Sequence, residues 1–225
     1  YLKKLGFTTL VESRYDEATG ETHTDIIPSL ALGGLTDGVT NLELTAAYAT
    51  IANGGVYNEP YLYTKVLDHD GRVILSNEPE STQVIKTSTA YLLTSAMIDT
   101  ITGGTGYATG SRLKFKEYKM PVAGKTGTTT NAVDCWFCGF TPYYSCSIWS
   151  GFDNNFGVEN SKHNYIWRDI METIHRDKKL AYKDFSMPDS ILTATVCTKS
   201  GLLAKMGVCD AYEAGSTVRT EYFAK

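Results

Sequence analysis

No apolar run in this sequence approaches the ~20 residues that a membrane-spanning helix requires, and it has no low-complexity tract or internal repeat. Basic clusters are missing as well. With a net charge of −4 and a pI near 5.6, its scattered lysines and arginines argue against a nucleic-acid partner. Histidine is sparse: His23, His69, His163 and His175 are dispersed, so neither a zinc set nor a Ser-His-Asp triad is indicated, and no metal or other cofactor is expected. The glycine-rich Thr102-Gly103-Gly104-Thr105-Gly106 lacks the lysine of a phosphate loop and follows a helix, so nucleotide binding is a poor reading. What remains is a globular composition, 42% hydrophobic and 20% charged, long enough at 225 residues for one domain or two small ones.

Tyr1 to Phe7 reads as the last turn of a helix closed by Gly6 and not as a secretory leader, so the sequence is expected to be a piece of something longer. Thr40-Asn41-Leu42-Glu43 has the spacing of a capping box. Behind it Leu44, Tyr48, Ile51 and Ala52 predict a helical stripe that Asn53-Gly54-Gly55 stops. A hairpin is expected across Asp70-Gly71, joining residues 61–68 to Arg72-Val73-Ile74-Leu75. A second helix should run from Ser88 to about Ile101, with Leu93, Met97 and Ile101 on one face and Gly103-Gly104 at its end. Residues 120–128, 134–140 and 145–152 read as successive antiparallel strands. A third helix, 165–175, is expected to turn Ile166, Ile170 and Ile174 inward and Arg168, Asp169 and Glu172 outward. The tail from Met187 alternates Ile191, Thr193, Thr195 and Cys197 as a short strand, either an appendage or the edge of the main sheet. The sum is α+β, an antiparallel sheet flanked by helices, with residues 1–186 as the main part and 187–225 as a short C-terminal appendage.

Five cysteines invite separate readings. Cys135 and Cys138 lie three apart in a strand, on opposite faces, so with Cys146 they read as small buried hydrophobes. Cys197 and Cys209 bracket a polar, glycine-containing segment. They are either a disulfide, which would contribute up to about 3 kcal/mol and imply an oxidising compartment, or two unrelated thiols.

Lys125-Thr126-Gly127-Thr128 is the densest chemistry in the chain: a lysine, two hydroxyls and a bare backbone on one strand, fit to hold an anionic, extended ligand. K-T-G is coupled in serine acyl-transferring enzymes to S-x-x-K and S-x-N. The one S-x-x-K match, Ser111-Arg112-Leu113-Lys114, follows Gly110 outside a helical pattern and reads as a loop. No S-x-N or Y-x-N triplet occurs. Around the K-T-G strand the chain nevertheless resembles class A penicillin-binding proteins. The resemblance rests on Gly33-Gly34-Leu35, Gly38-Val39-Thr40, Ala46-Ala47-Tyr48-Ala49, Gly104-Thr105-Gly106, Ala123 to Thr128, Asp134 with Trp136-Phe137, Gly139-Phe140-Thr141-Pro142 and Gly151-Phe152-Asp153, in that order. The tail with its cysteines and Arg219 to Phe223 resembles Gram-positive members.

That resemblance implies a five-stranded sheet sandwiched by helices and a D,D-transpeptidase that cross-links peptidoglycan stem peptides ending in D-Ala-D-Ala and is acylated by β-lactams. Lys125 would set positive potential near the S-x-N serine and orient proton transfer. The Thr126 and Thr128 hydroxyls would bind the substrate carboxylate, Gly127 would keep the strand edge clear, and the Thr128 backbone N–H would be one oxyanion donor. The serine motifs are expected upstream, in the N-terminal half of the same domain, so this chain alone should be inactive. An N-terminal anchor absent from the chain would hold it on the extracytoplasmic face of the membrane. The competing expectations are a non-catalytic muropeptide- or partner-binding module and a D,D-carboxypeptidase or β-lactamase relative.

Overall fold

The computed structural model describes residues 1–103, 108–158 and 162–225, so Gly104-Thr105-Gly106 lies outside the described residues. Leu2–Leu5 forms a single tight helical turn that Gly6 ends in the left-handed conformation, as its sequence predicts. Next comes a small hairpin, β1 (Arg14–Asp16) with β2 (Glu21–His23), which carries no clear sequence signal. Thr40 then starts α1 (Asn41–Ala52) with the anticipated closed box: Glu43 N donates to Thr40 Oγ1, and Thr40 N donates to the Glu43 carboxylate. Its buried residues are Ala46, Ala47 and Thr50. Tyr48 and Ile51 pack half-buried beside them, whereas Ala52 of the expected stripe is exposed.

β3 (Val56–Asn58) pairs with β6 (Ser81–Gln83). Between them β4 (Lys65–Leu67) and β5 (Val73–Ser76) make the expected hairpin, with Gly71 at positive φ in its turn. The hairpin is shorter than its pattern, and Val66, Leu67, Val73, Ile74 and Leu75 are all exposed. α2 (Thr87–Thr102) ends at a left-handed Gly103. It buries Ala90, Thr94, Met97 and Ile101, leaving Leu93 exposed instead of inward. The small Ala90 and Thr94 make the side by which the helix can approach its neighbours closely.

The centre is the antiparallel sheet β7 (Ala123–Thr128), β8 (Asp134–Phe140) and β9 (Ser145–Gly151), in that order. The described residues thus supply three strands towards the five that the resemblance implies. One face carries Thr126, Phe137 and Ile148 in register and packs on α3 (His163–Asp177) through Trp167 and Met171. The other carries Ala123 and Phe140, which pack on Met97, Tyr48, Ile51 and Ile98 of α1 and α2. Helices therefore lie on both sides of an antiparallel sheet, the α+β arrangement expected.

α3 departs from its sequence reading at four of six positions, with Asp169 outward as expected and Ile174 half-buried. Ile166 and Ile170 are 47% and 45% exposed, while His163, Trp167, Arg168, Met171, Glu172 and His175 are buried. The buried charges are satisfied, which is why the helix tolerates them inside. Glu172 accepts from the N–H groups of Glu117 and Tyr118 at 2.5 and 2.8 Å. Arg168 pairs with Asp169, donates to the Arg112 carbonyl and lies over the Tyr165 ring. His175 bridges Met171 O and Thr141 Oγ1 at 2.7 and 2.9 Å. Last, β10 (Ile191–Cys197) and β11 (Val218–Ala224) form their own two-stranded sheet. It docks on α2 by the Arg219–Asp99 ion pair at 2.8 Å and an edge-on Tyr91–Tyr222 contact.

Candidate substrate-binding strand

β7 holds Lys125, Thr126, Gly127 and Thr128 together because its upstream half is locked. Gly124 and Gly139 face each other in register, with the Phe137 ring over both. A β-carbon at Gly124 would lie 2.5 Å from Phe137 Cζ and 2.6 Å from the Cys138 carbonyl, so only glycine fits. The close neighbour that this glycine admits is therefore the protein's own core. Thr100 Oγ1 of α2 reaches the Gly124 carbonyl at 2.6 Å, fixing the strand one residue before the lysine. Downstream, Thr129 and Asp134 close the connection to β8: Asp134 N donates to Thr129 Oγ1 at 2.8 Å, and Thr129 N donates to Asp134 O. Asn131 and Ala132 take positive φ between them.

Among the described residues β7 pairs with one strand, β8, so no strand covers its outer edge, which Thr100 of α2 meets only at the Gly124 carbonyl. Lys125 and Gly127 share one face, Thr126 and Thr128 the other, as the alternation predicts. Lys125 is exposed, and its Nζ curls to Thr126 O at 3.0 Å and Thr126 Oγ1 at 3.4 Å. Its register partner, Cys138, offers no counter-ion: burial pushes that thiol up to about 11, so it stays neutral. Trp136 lies beneath Gly127, where a β-carbon would sit 3.3 Å from Trp136 Cβ. The Trp149 ring is 6.3 Å away from that of Trp136, and Trp149 Nε1 donates to Asp134 Oδ1 at 2.9 Å. Trp136, Trp149 and Asp134 thus join the neighbourhood of the motif. The sequence alone gives them no place there, because only the register fixes one.

Ser111 is exposed, in a single tight turn over Ser111–Leu113. Lys114 Nζ points to the Thr102 carbonyl and not to Ser111. Cys197 and Cys209 lie elsewhere, at the base of the β10–β11 hairpin, and all five cysteines are free thiols.

The model of the penicillin binding protein transpeptidase domain matches residues 1–172. This chain belongs to the penicillin-binding protein family. Residues 187–225 match the C-terminal domain of penicillin-binding protein 1A. Among curated relatives, penicillin-binding protein 1A of Clostridium novyi (strain NT) is 35% identical over 99% of the chain. Penicillin-binding protein 4 of Bacillus subtilis (strain 168) is 32% identical over 78% of it. The chain spans about a quarter of the length of these relatives, 25% and 26%. Penicillin-binding protein 1A from Haemophilus influenzae superposes at a TM-score of 0.74 with 24% identity, over 99% of this chain and 35% of that one. PonA1 from Mycobacterium tuberculosis superposes at 0.61 with 22% identity, over 83% and 51%. Both share the fold.

Proposed function

We propose that this chain is the C-terminal half of a D,D-transpeptidase domain that cross-links peptidoglycan stem peptides through a serine acyl-enzyme. The observation that carries this reading is the outer edge of β7, which no strand covers, with Lys125, Thr126 and Thr128 at its downstream end and its upstream end pinned by Thr100 and Phe137. An extended stem peptide lies along such an edge as an added strand, with Gly127 leaving room for it. Its terminal carboxylate, or that of a β-lactam, is bound by the Thr126 and Thr128 hydroxyls. Lys125 supplies positive potential and orients the proton that moves between the catalytic serine and the S-x-N serine. The Thr128 N–H is one oxyanion donor; the nucleophile's own N–H is the other. Loss of a single such donor costs ~10²–10³ in rate, so the chain without its nucleophile turns nothing over.

The N-terminal half of the domain brings both serines, and residues 187–225 form an appendage to it. An anchor N-terminal to the domain holds the protein on the extracytoplasmic side of the membrane; among the described residues no helix is long and apolar enough to cross one. Support for β-lactam binding comes from the family and from PonA1, solved in complex with penicillin V.

Fluorescent penicillin tests the reading. The 225 residues alone should take no covalent label, and a chain extended N-terminally through S-x-x-K should label one to one. Stoichiometric labelling of the 225 residues would promote Ser111 and sink the proposal. Failure of the longer chain to label would favour a non-catalytic binding module. Lys125→Ala in the longer chain should slow acylation at unchanged melting temperature, and an unaltered rate would remove the lysine from the mechanism. Release of free D-alanine without cross-linked product would reassign the enzyme as a carboxypeptidase.

A further inference from the structure

We propose that Cys197 and Cys209 are a redox pair, a dithiol that a small-molecule or protein disulfide converts to an intramolecular disulfide at the base of the β10–β11 hairpin. The two residues are brought together by Thr217, which is remote from Cys197 in sequence. Thr217 N and Oγ1 both donate to the Cys209 carbonyl, at 2.8 and 2.9 Å. Thr217 O accepts from Thr198 N at 2.8 Å, and Thr217 Oγ1 lies 3.3 Å from Cys197 Sγ. One residue thus clamps the backbone on either side, and the Cys209 thiol is itself among the groups bonded to Cys197 Sγ. Cys209 is held in turn, its sulfur accepting from Lys205 N at 3.3 Å.

The turn after Cys197 completes the arrangement. Gly201, at positive φ, donates to the Cys197 carbonyl and folds the segment back, so that the Ser200 and Lys199 N–H groups reach the Cys197 sulfur. With its one proton turned from the Cys209 carbonyl to the ionised sulfur, the Thr217 hydroxyl joins these N–H groups in holding the Cys197 thiol down to about 6, against about 11 for Cys138 in the sheet. A sulfur surrounded by donors beside a second thiol is the microenvironment of exchange chemistry, in contrast to the inert core thiols.

Access divides the roles. Cys197 is 6% exposed, whereas Cys209 is half-buried. The Cys209 thiolate attacks an external disulfide R–S–S–R, forming a mixed disulfide and releasing one thiolate, which takes up a proton. Cys197 thiolate then attacks the Cys209 sulfur and expels the second thiolate. Two cysteine thiols are oxidised and one external disulfide is reduced to two thiols. The product ties Cys197, at the end of β10, to Cys209, whose carbonyl is clamped by Thr217, the residue just before β11 and two positions before the Arg219 that grips Asp99 of α2.

Treatment of the folded protein with oxidised glutathione, followed by intact mass and non-reducing peptide mapping, tests this. The expected result is loss of two hydrogens, a cross-link confined to the peptides carrying 197 and 209, and full reversal by dithiothreitol. Trypsin cleavage at Lys199 or Lys205 should then leave fragments that separate only on reduction. Cys197→Ser should stall with glutathione on Cys209, and Cys209→Ser should give no cross-link. Five unmodified thiols after treatment, or a cross-link through Cys135, Cys138 or Cys146, would overturn the proposal without touching the reading of β7. Persistent glutathione on both cysteines of the native protein would overturn it as well.

Discussion

On the α3 side of the sheet Phe137 and Trp167 are fully buried and meet edge-to-face at 4.8 Å, whereas on the other side Trp149 is 39% exposed and Lys125 reaches into solvent. The same three strands carry both surfaces. The difference is one of depth: large apolar side chains interlock on the first, and the second is packed at Ala123, Cys138 and Phe140 and lies open towards Gly127. Rigidity for the K-T-G strand therefore comes from the α3 side together with Thr100 of α2. Beyond that anchor the face that displays the lysine contributes little.

The contrast breaks most readily at Phe137. Phe137→Ala removes a fully buried ring between Trp167 and two glycines, and should cost about 3–5 kcal/mol in urea unfolding. A loss near 1 kcal/mol would mean that the closed face is no more a core than the open one. Next is Glu172, whose carboxylate meets burial that opposes ionisation; N–H bonds from Glu117, Lys116 and Tyr118 outweigh it and keep the group below the usual range. Glu172→Ala strands those donors, at about 1–3 kcal/mol. The wild type should hold this contribution in full above the ordinary carboxyl value of 4.5 and lose it as the pH falls through the lower folded value, a slope that Glu172→Gln should flatten. Smallest is Trp149→Ala, expected to cost no more than about 1 kcal/mol in the same measurement. A cost matching that of Phe137→Ala would erase the distinction between the faces.

Much of this architecture is written locally and could be read there. The Thr40 box, the Asp70-Gly71 turn and the strands of the sheet each depend on residues close in sequence. α3 could not be oriented that way. Its isoleucines and its Trp167–Met171 row both have helical spacing, and the choice falls to Glu172 and Arg168, whose partners lie at 112–118, over fifty residues away. β3 and β6 are three residues each and pair across more than twenty residues, too short to signal alone. At the site the K-T-G motif was plain in sequence, while Trp136 beneath Gly127 and Thr100 on the Gly124 carbonyl depend on register and helix placement. Thr217 is the corresponding omission at the cysteines.

The ring laid across Gly124 and Gly139 couples position 137 to both glycines, though not equally. A smaller residue at 137 relieves Gly139, whose other near neighbour is the Ala123 carbonyl at 3.0 Å, whereas at Gly124 the Cys138 carbonyl at 2.6 Å and Gly139 Cα at 2.8 Å still bar a β-carbon. Substitutions at 137 and 139 should be strongly non-additive, with Gly139→Ala less damaging once Phe137 is leucine, while Gly124→Ala stays damaging whatever stands at 137. Sequence drift beside the K-T-G strand is then constrained to move by concerted steps, and the lysine one residue on inherits that constraint.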